Sequence, residues 1–571
     1  MASEVQPYGN TRKQSEYEER VVADSLQEFA QDVLWRSTSA SMWEEIAELI
    51  DPPSRNTFFY GDFNWPGVKK TDRQIDATGM MALQRFCAIM DSLLTPRNME
   101  WHTLEADNDY VQKDRDTKIW FEKATKVLFK QRYAPNANFA AQNFCNYRSL
   151  GAYGTGAMFA DQFDGLSGER GLRYKAFSLG ETYLGENHQG LIYRFNRLFR
   201  LNAAQAKQRW PDTFPSSLQP ALDSHSQLTY MFLHRVCPRE DFEPGRLDAK
   251  GKRWASYYVS LDGKTLLQEG GYNTFPLAAS RYDQTPGEVY GRSWATYVLP
   301  ALKTLNAEKR TFLKQGHRAA DPVLLTADDG IVDFSLRPGA INPGGVNTDG
   351  KLMVHVLPTG EIQISKEMMA DEAKLINDAA LVTLFQIMTE SPQMTATEVI
   401  ERINEKAILL APTIGRQQSE YLGPLIDREL DLLMQMNLLE PMPPRLREAQ
   451  GEYKTVYTSP LSRMMQAGDA AGFWRAVDQA KDAFAISQDQ SLFDAFDFDT
   501  AIPGTAAIYG TKESWMASPR KMKQKKLDRQ KAMQRQEQIQ AAPGQAGLMS
   551  AQAKQAQAGM QPQQPQAPAG P

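Results

Sequence analysis

Between Tyr290 and Met436 the chain reads as helix, short β insert, helix, tight turn and helix. This order hangs one small sheet from two long helical runs, so few folds can accommodate it. The first run opens at Tyr290-Gly291-Arg292-Ser293 and continues through Leu299-Pro300-Ala301-Leu302-Lys303-Thr304-Leu305-Asn306 to about Arg318. Proline removes a backbone donor and kinks a helix, so two helices meeting near Pro300 fit as well as one. The insert Asp321–Ile364 offers three strand candidates, Val323–Thr326, Ile331–Leu336 and Lys351–Leu357. The loop Pro338–Gly350 between them is rich in Gly, Pro and Asn and is expected to be exposed. Helix resumes from about Ser365 to Ile387, and Glu390-Ser391-Pro392-Gln393 breaks it. Thr395-Ala396-Thr397-Glu398 then matches a capping box, in which hydroxyl and carboxylate satisfy free amides at a helix start. A further helix, Gln417–Met436, aligns Leu422, Leu425, Ile426, Leu430, Leu433 and Met434 and stops at Pro441-Met442-Pro443-Pro444.

Helical spacing also marks residues 14–50, where Tyr17, Val21, Leu26, Phe29, Val33 and Leu34 recur before Asp51-Pro52-Pro53. Further helices are expected at Asp76–Leu94, Asp114–Arg132 and Asn138–Leu150. The glycines Gly151, Gly154 and Gly156 then turn the chain into a strand, Ala157–Ala160. Residues 151–285 alternate in short runs bounded by turn residues, with a hairpin signal at Leu261-Asp262-Gly263-Lys264. A helical patch at Asn202–Trp210 interrupts them, and near the C-terminus Ala470–Ala483 reads as helix. The fold class is therefore α+β, predominantly helical.

The chain's 571 residues exceed one core, which implies about three or four domain-sized units. Cys87, Cys145 and Cys237 stand far apart, against a disulfide framework or zinc knuckle and in keeping with a reducing compartment. No membrane span is expected, and the polar start Met1-Ala2-Ser3-Glu4 is unlike a secretory signal. Catalytic signals are missing: no phosphate-binding loop, no nucleophile elbow, no zinc-protease helix, and no ligand spacing among the six histidines. The expectation is a protein without metal or cofactor that is not an enzyme.

Charge is distributed unevenly. The net charge is −5, yet Arg520, Lys521, Lys523, Lys525, Lys526, Arg529, Lys531 and Arg535 face a single acid, Asp528, within sixteen residues. Such a run binds nucleic acid without reading sequence, because it lacks aromatics for base stacking; a solvated helix is the competing reading. The acidic remainder suits a surface past which a polyanion slides, or simply a well-solvated protein. After Arg535 come eleven glutamines among Ala and Pro, a composition that packs no core and is expected to be disordered. On the first long helix Lys303, Arg310, Lys314 and His317 share one face, positioned for DNA phosphates or for a neighbouring subunit's acids.

The order and wording of these pieces resemble the portal, or head-to-tail connector, proteins of short-tailed, podovirus-type phages. The resemblance covers roughly residues 14–465 and is most specific at Tyr290–Ser293, Leu299–Asn306, Met394-Thr395-Ala396 with Glu398-Val399, Gly423–Arg428 and Tyr457–Leu461. Trp294 and Ala301 depart from it, standing where proline and an acid are common. It implies a protomer of wing, stem, clip and crown that assembles into a closed ring, usually a dodecamer. In that scheme 1–288 and 395–440 form the wing, 289–318 and 365–387 the stem helices, and 319–364 the clip. Residues 441–535 form the crown and 536–571 the tail. The turn Met388-Thr389-Glu390-Ser391-Pro392-Gln393-Met394 becomes a tunnel loop contacting DNA in the channel. The resemblance further implies a capsid vertex of the virion, assembly in the host cytoplasm, and passage of double-stranded DNA during packaging and ejection. The partners it implies are the terminase large subunit, major capsid and scaffolding proteins, and tail adaptor proteins. The alternatives are another head–tail junction protein, such as an adaptor, or a nucleic-acid-processing enzyme.

Overall fold

The computed structural model describes residues 15–61, 67–112, 114–165, 168–326, 335–358, 362–382, 411–449, 451–458, 460–487, 493, 495–508, 521–535 and 554. It divides into two compact units, Met1–Met465 and Gln466–Pro571.

The first unit begins with helix α1 (Glu16–Ile50), started by a reciprocal capping box between Ser15 and Glu18. Its inner face buries Val22, Phe29, Trp43, Ile46 and Ile50. Helix α2 (Thr78–Leu94) follows, then strand β1 (His102–Ala106), α3 (Asp109–Gln112), α4 (Arg115–Arg132) and α5 (Phe139–Tyr153). Helix α5 ends at Gly154, whose φ of 79° is left-handed. A Cβ there would collide with the Gly291 carbonyl, so glycine is required twice over. The expected helix-to-strand turn is thus present, and it leads into β2 (Thr155–Asp164).

Strand β2 is central in an antiparallel three-stranded sheet, between β3 (Arg170–Ala176) and β9 (Leu277–Arg281). A five-stranded antiparallel meander joins β4 (Thr182–Glu186), β5 (Ile192–Asn202), β6 (Thr229–Pro238), β7 (Trp254–Ser260) and β8 (Thr265–Tyr272) in chain order. Adjacent residues on a strand point to opposite faces. Leu233 accordingly packs with Val22 and Phe29 of α1, while Phe232 packs with Trp210 and Leu218 on the other side. Two short helices, α6 (Ala203–Arg209) and α7 (Gln219–Asp223), lie between β5 and β6.

After β9 comes a single turn of helix, α8 (Trp294–Tyr297), and then α9 (Leu299–Ala320). Tyr290 to Ser293 are not helical: Ser293 is the N-cap of α8, its hydroxyl accepting from the Thr296 amide at 3.1 Å. Pro300 occupies the first turn of α9, where its missing N–H costs no hydrogen bond. Two helices meet there, as the proline allowed. The hairpin β10 (Leu324–Thr326) and β11 (Val354–Val356) follows, and then α10 (Ile362–Ala379). The expected run to Ile387 is interrupted near Ala380, because Leu381 adopts a left-handed φ of 63° and its amide turns back to Asp378. Of the second strand candidate, Ile331–Leu336, residues 331–334 lie outside the described residues, and Ser335 and Leu336 are not in a strand. The capping box at Thr395–Glu398 also lies outside them.

Gln417–Leu422 forms a π-helical turn that runs into α11 (Gly423–Gln435). Helix α12 (Pro444–Glu448) leads to β12 (Tyr453–Tyr457), which pairs antiparallel with β1. The sequence pattern revealed neither of these five-residue strands, since each finds its partner about 350 residues away. Helix α13 (Pro460–Ser487) is longer than the expected Ala470–Ala483. The second unit also holds α14 (Phe498–Ile508) and a helix over 521–535.

Candidate channel and assembly surfaces

Helix α9 is buried only at its start. Ala301, Leu302 and Leu305 sit in the main core, and no residue from Asn306 to Ala320 is buried. The Asn306 carboxamide oxygen anchors this root by accepting from the amides of Ile75 and Asp76, at 2.8 and 3.2 Å. Helix α10 packs against α9 and buries Met369 and Ile376 in the same core, with Ala380 buried just past its end. The start of α9 and the end of α10 are therefore rooted together, and the β10–β11 hairpin caps the projecting end. Every described residue of 321–358 is exposed or half-buried, including the apolar Leu325, Leu336, Ile341, Val346, Leu352 and Val356.

The four basic residues expected to share one face of α9 do so. At 100° per residue Lys303, Arg310, Lys314 and His317 fall within about 60° of arc, opposite Leu305 and Phe312. All four are exposed, whereas Phe312 packs toward the core. Lys303 reaches Glu45 of α1 at 2.6 Å; Arg310, Lys314 and His317 make no ion pair with a described residue. The tunnel-loop candidates Met388, Thr389, Glu390, Ser391, Pro392, Gln393 and Met394 lie outside the described residues.

In the second unit the basic run is helical over 521–535, and every position except Met522 is exposed. Lys521, Lys523, Lys525, Lys526, Arg529, Lys531 and Arg535 all project from it, and Arg520 lies outside the described residues. Lys526 pairs with Asp499 of α14. With Leu527 and Met533 also exposed, no face of this helix is sheltered.

The motif-bearing residues are packing joints. The Tyr290 hydroxyl accepts from the Leu184 amide at 3.0 Å, and its ring meets Trp43 edge-on at 5.0 Å. Buried Arg428 donates to the Ala160 carbonyl and to Asp431, each at 3.2 Å. Its neighbour Glu429 forms a fully buried pair with Arg132: Arg132 Nε donates to Oε1 at 3.0 Å and Nη2 to Oε2. The Tyr174 hydroxyl also donates to Oε1, at 2.6 Å, while Arg132 Nη1 lies 3.0 Å from His102 Nε2. Arginine can only donate, so Nε2 accepts and His102 is neutral, with its proton on Nδ1. Burial, then the Arg132 charge, hold the His102 pKa well below 6.5. The sequence reading missed Arg132, although a signal exists: it follows Leu128 by four residues on the buried face of α4.

Cys87 and His234 are both turned inward. Burial pushes the Cys87 thiol up to about 12. His234 is buried, stacked on Tyr258 at 4.1 Å, and held well below 6.5 by burial with Arg197 and Arg209 nearby. Among the described residues no group of three or more His, Cys, Asp or Glu is arranged to hold a metal, and no helix is long and apolar enough to cross a membrane.

The sequence pattern of the bacteriophage head to tail connecting proteins matches residues 25–516 of this chain. The chain belongs to that family. The connecting protein is 26% identical over 451 residues to a probable portal protein of Bordetella phage BPP-1, covering 76% of this chain and 78% of the relative. It is likewise 26% identical over 430 residues to the portal protein of Salmonella phage epsilon15, covering 73% and 75%. The family match spans both helices of the projecting pair and ends before the basic helix of 521–535. Head-to-tail connection in a phage particle is a structural role.

Proposed function

We propose that this connecting protein is a portal: a closed ring, with the dodecamer as the expected size, at one capsid vertex of the virion. Double-stranded DNA enters through its channel during packaging and leaves through it at ejection. The observation that carries the reading is the family match over 25–516. The helix pair α9 and α10 supports it, being rooted at one end and carrying an exposed hairpin at the other, as a stem and clip require. We take 1–288 and 395–440 as wing, the helices around 289–318 and 365–387 as stem, and 319–364 as clip. The crown is drawn from the residues after Met465 rather than from Pro441, because β12 pairs with β1 in the first unit.

In this reading the terminase large subunit docks on the clip during packaging and tail adaptor proteins replace it afterwards. Capsid and scaffolding proteins surround the wing, and the ring assembles in the host cytoplasm before DNA arrives. The tunnel loop 388–394 and the basic helix supply contacts with DNA that do not depend on sequence. A subunit with different surfaces toward its two neighbours closes into a ring by heterologous contacts. Negative-stain microscopy with native mass spectrometry of the purified protein tests the proposal. Closed rings with a central hole are expected; isolated subunits at every concentration and salt would overturn it.

A further inference from the structure

The exposed outer sides of α9 and α10 carry opposite charge. Helix α9 has Lys303, Lys309, Arg310, Lys314 and Arg318 against one acid, Glu308. Helix α10 has Glu367, Asp371, Glu372 and Asp378 against Lys366 and Lys374. On α10 the sheltered positions are Met369, Ala373, Ile376 and Ala379. Counting 100° per residue, Glu367, Asp371, Lys374 and Asp378 lie within about 60° of arc on the opposite side. All four are exposed. Because the two helices pack on each other, one pair presents cations on one flank and mainly acids on the other.

The heights match as well. The hairpin sets Leu324 opposite Val356 and Thr326 opposite Val354. The Leu357 amide extends that register by donating to the Val323 carbonyl at 3.0 Å. Taking the buried Leu305 and Ile376 at the common root as one level, the antiparallel count along both helices places Lys303, Arg310 and Lys314 at the levels of Asp378, Asp371 and Glu367. One residue is about 1.5 Å of helix rise. Within one subunit these residues face away from each other and do not meet. Rotation about an axis along the helices preserves height, so it brings them together between neighbours.

We propose that the cationic flank of α9 on one copy docks on the acidic flank of α10 on the next, with Arg310 meeting Asp371. The inference rests on the ring reading above and assigns the α9 cations to a second copy of this chain rather than to DNA. Lys314 stands opposite Glu367, and Lys303 is shared between its own Glu45 and the neighbour's Asp378. Lys374 dilutes the acidic flank without reversing it.

Charge exchange in the full chain tests this, read as the ratio of rings to free subunits at low salt. Arg310→Glu alone and Asp371→Arg alone are each expected to lower that ratio about tenfold, since each sets like charges face to face around the ring. The double variant R310E/D371R restores it, because every interface regains an opposite pair. The combination R310E/D378R, which offers the cation at the wrong height, does not. Intact rings for both single variants, or equal rescue by R310E/D378R, would overturn the pairing and leave the ring reading standing. Absence of rings from the unaltered chain would instead overturn the ring reading itself.

Discussion

Arg132 occupies a position on α4 that periodicity assigns to an apolar residue, and it is tolerated there because Glu429 arrives with two carboxylate oxygens. A buried charge left without its partner is far more costly than the pair is stabilising. Arg132→Ala is therefore expected to destabilise the first unit by about 3–5 kcal/mol, read as a lower melting temperature. Arg132→Met combined with Glu429→Leu is expected to recover most of that loss, as it removes the stranded charge. The two buried histidines add a pH dependence. Both are neutral in the folded chain, with pKa values well below 6.5, whereas the unfolded chain titrates near 6.5. Below that pH the unfolded state binds more protons, so folding stability falls as the solution is acidified. The slope reaches up to about 1.4 kcal/mol per pH unit for each histidine. His234→Gln is expected to flatten the stability curve between about pH 6.5 and 5 relative to the unaltered chain; an unchanged slope in urea titrations would rule out His234 as a contributor. Arg132 was legible only as an anomaly, because α4 shows the charge and says nothing of Glu429.

The helices were the most legible elements, since their signals are local. Ser15 with Glu18 starts α1, Pro300 sits where a helix begins, and the basic run has no apolar face yet forms a helix. The ends of the projecting pair were less legible. Tyr290 to Ser293 read as the first helical turns, but Tyr290 is drawn to Leu184 and Gly291 to Gly154, which holds this segment out of helix. Of the candidate site, the stripe on α9 could be read from spacing alone. What lies opposite it could not, because the level of α9 against α10 is set by their packing in the common core. For the basic helix, about five phosphate contacts would give a slope near −4.5 in log affinity against log salt. DNA binding by the full chain is then expected to weaken about 500-fold between 50 and 200 mM salt, and a chain ending at Pro519 to lose that component. Binding that ignores salt would exclude this role.

At the scale of the whole molecule, the main core gathers residues from Ala40 to Leu446, and the β1–β12 pair closes it at Tyr457. A chain ending at Thr458 is accordingly expected to unfold as one cooperative transition, with a melting temperature within about 4 °C of the first transition of the full protein. Gradual, non-cooperative melting would mean that later residues are needed to complete this core. The α+β class, the rod-like helix pair with its β insert and the segregation of charge were all determined by the sequence itself. Those properties follow from periodicity, caps, proline and composition, each of which acts over a few neighbouring residues. The β1–β12 ladder, the Arg132–Glu429 pair and the close approach of Gly154 to Gly291 were decided only in three dimensions. Arg132 and Glu429 lie 297 residues apart, and at that separation only tertiary packing can bring a charge and its partner together in the buried interior.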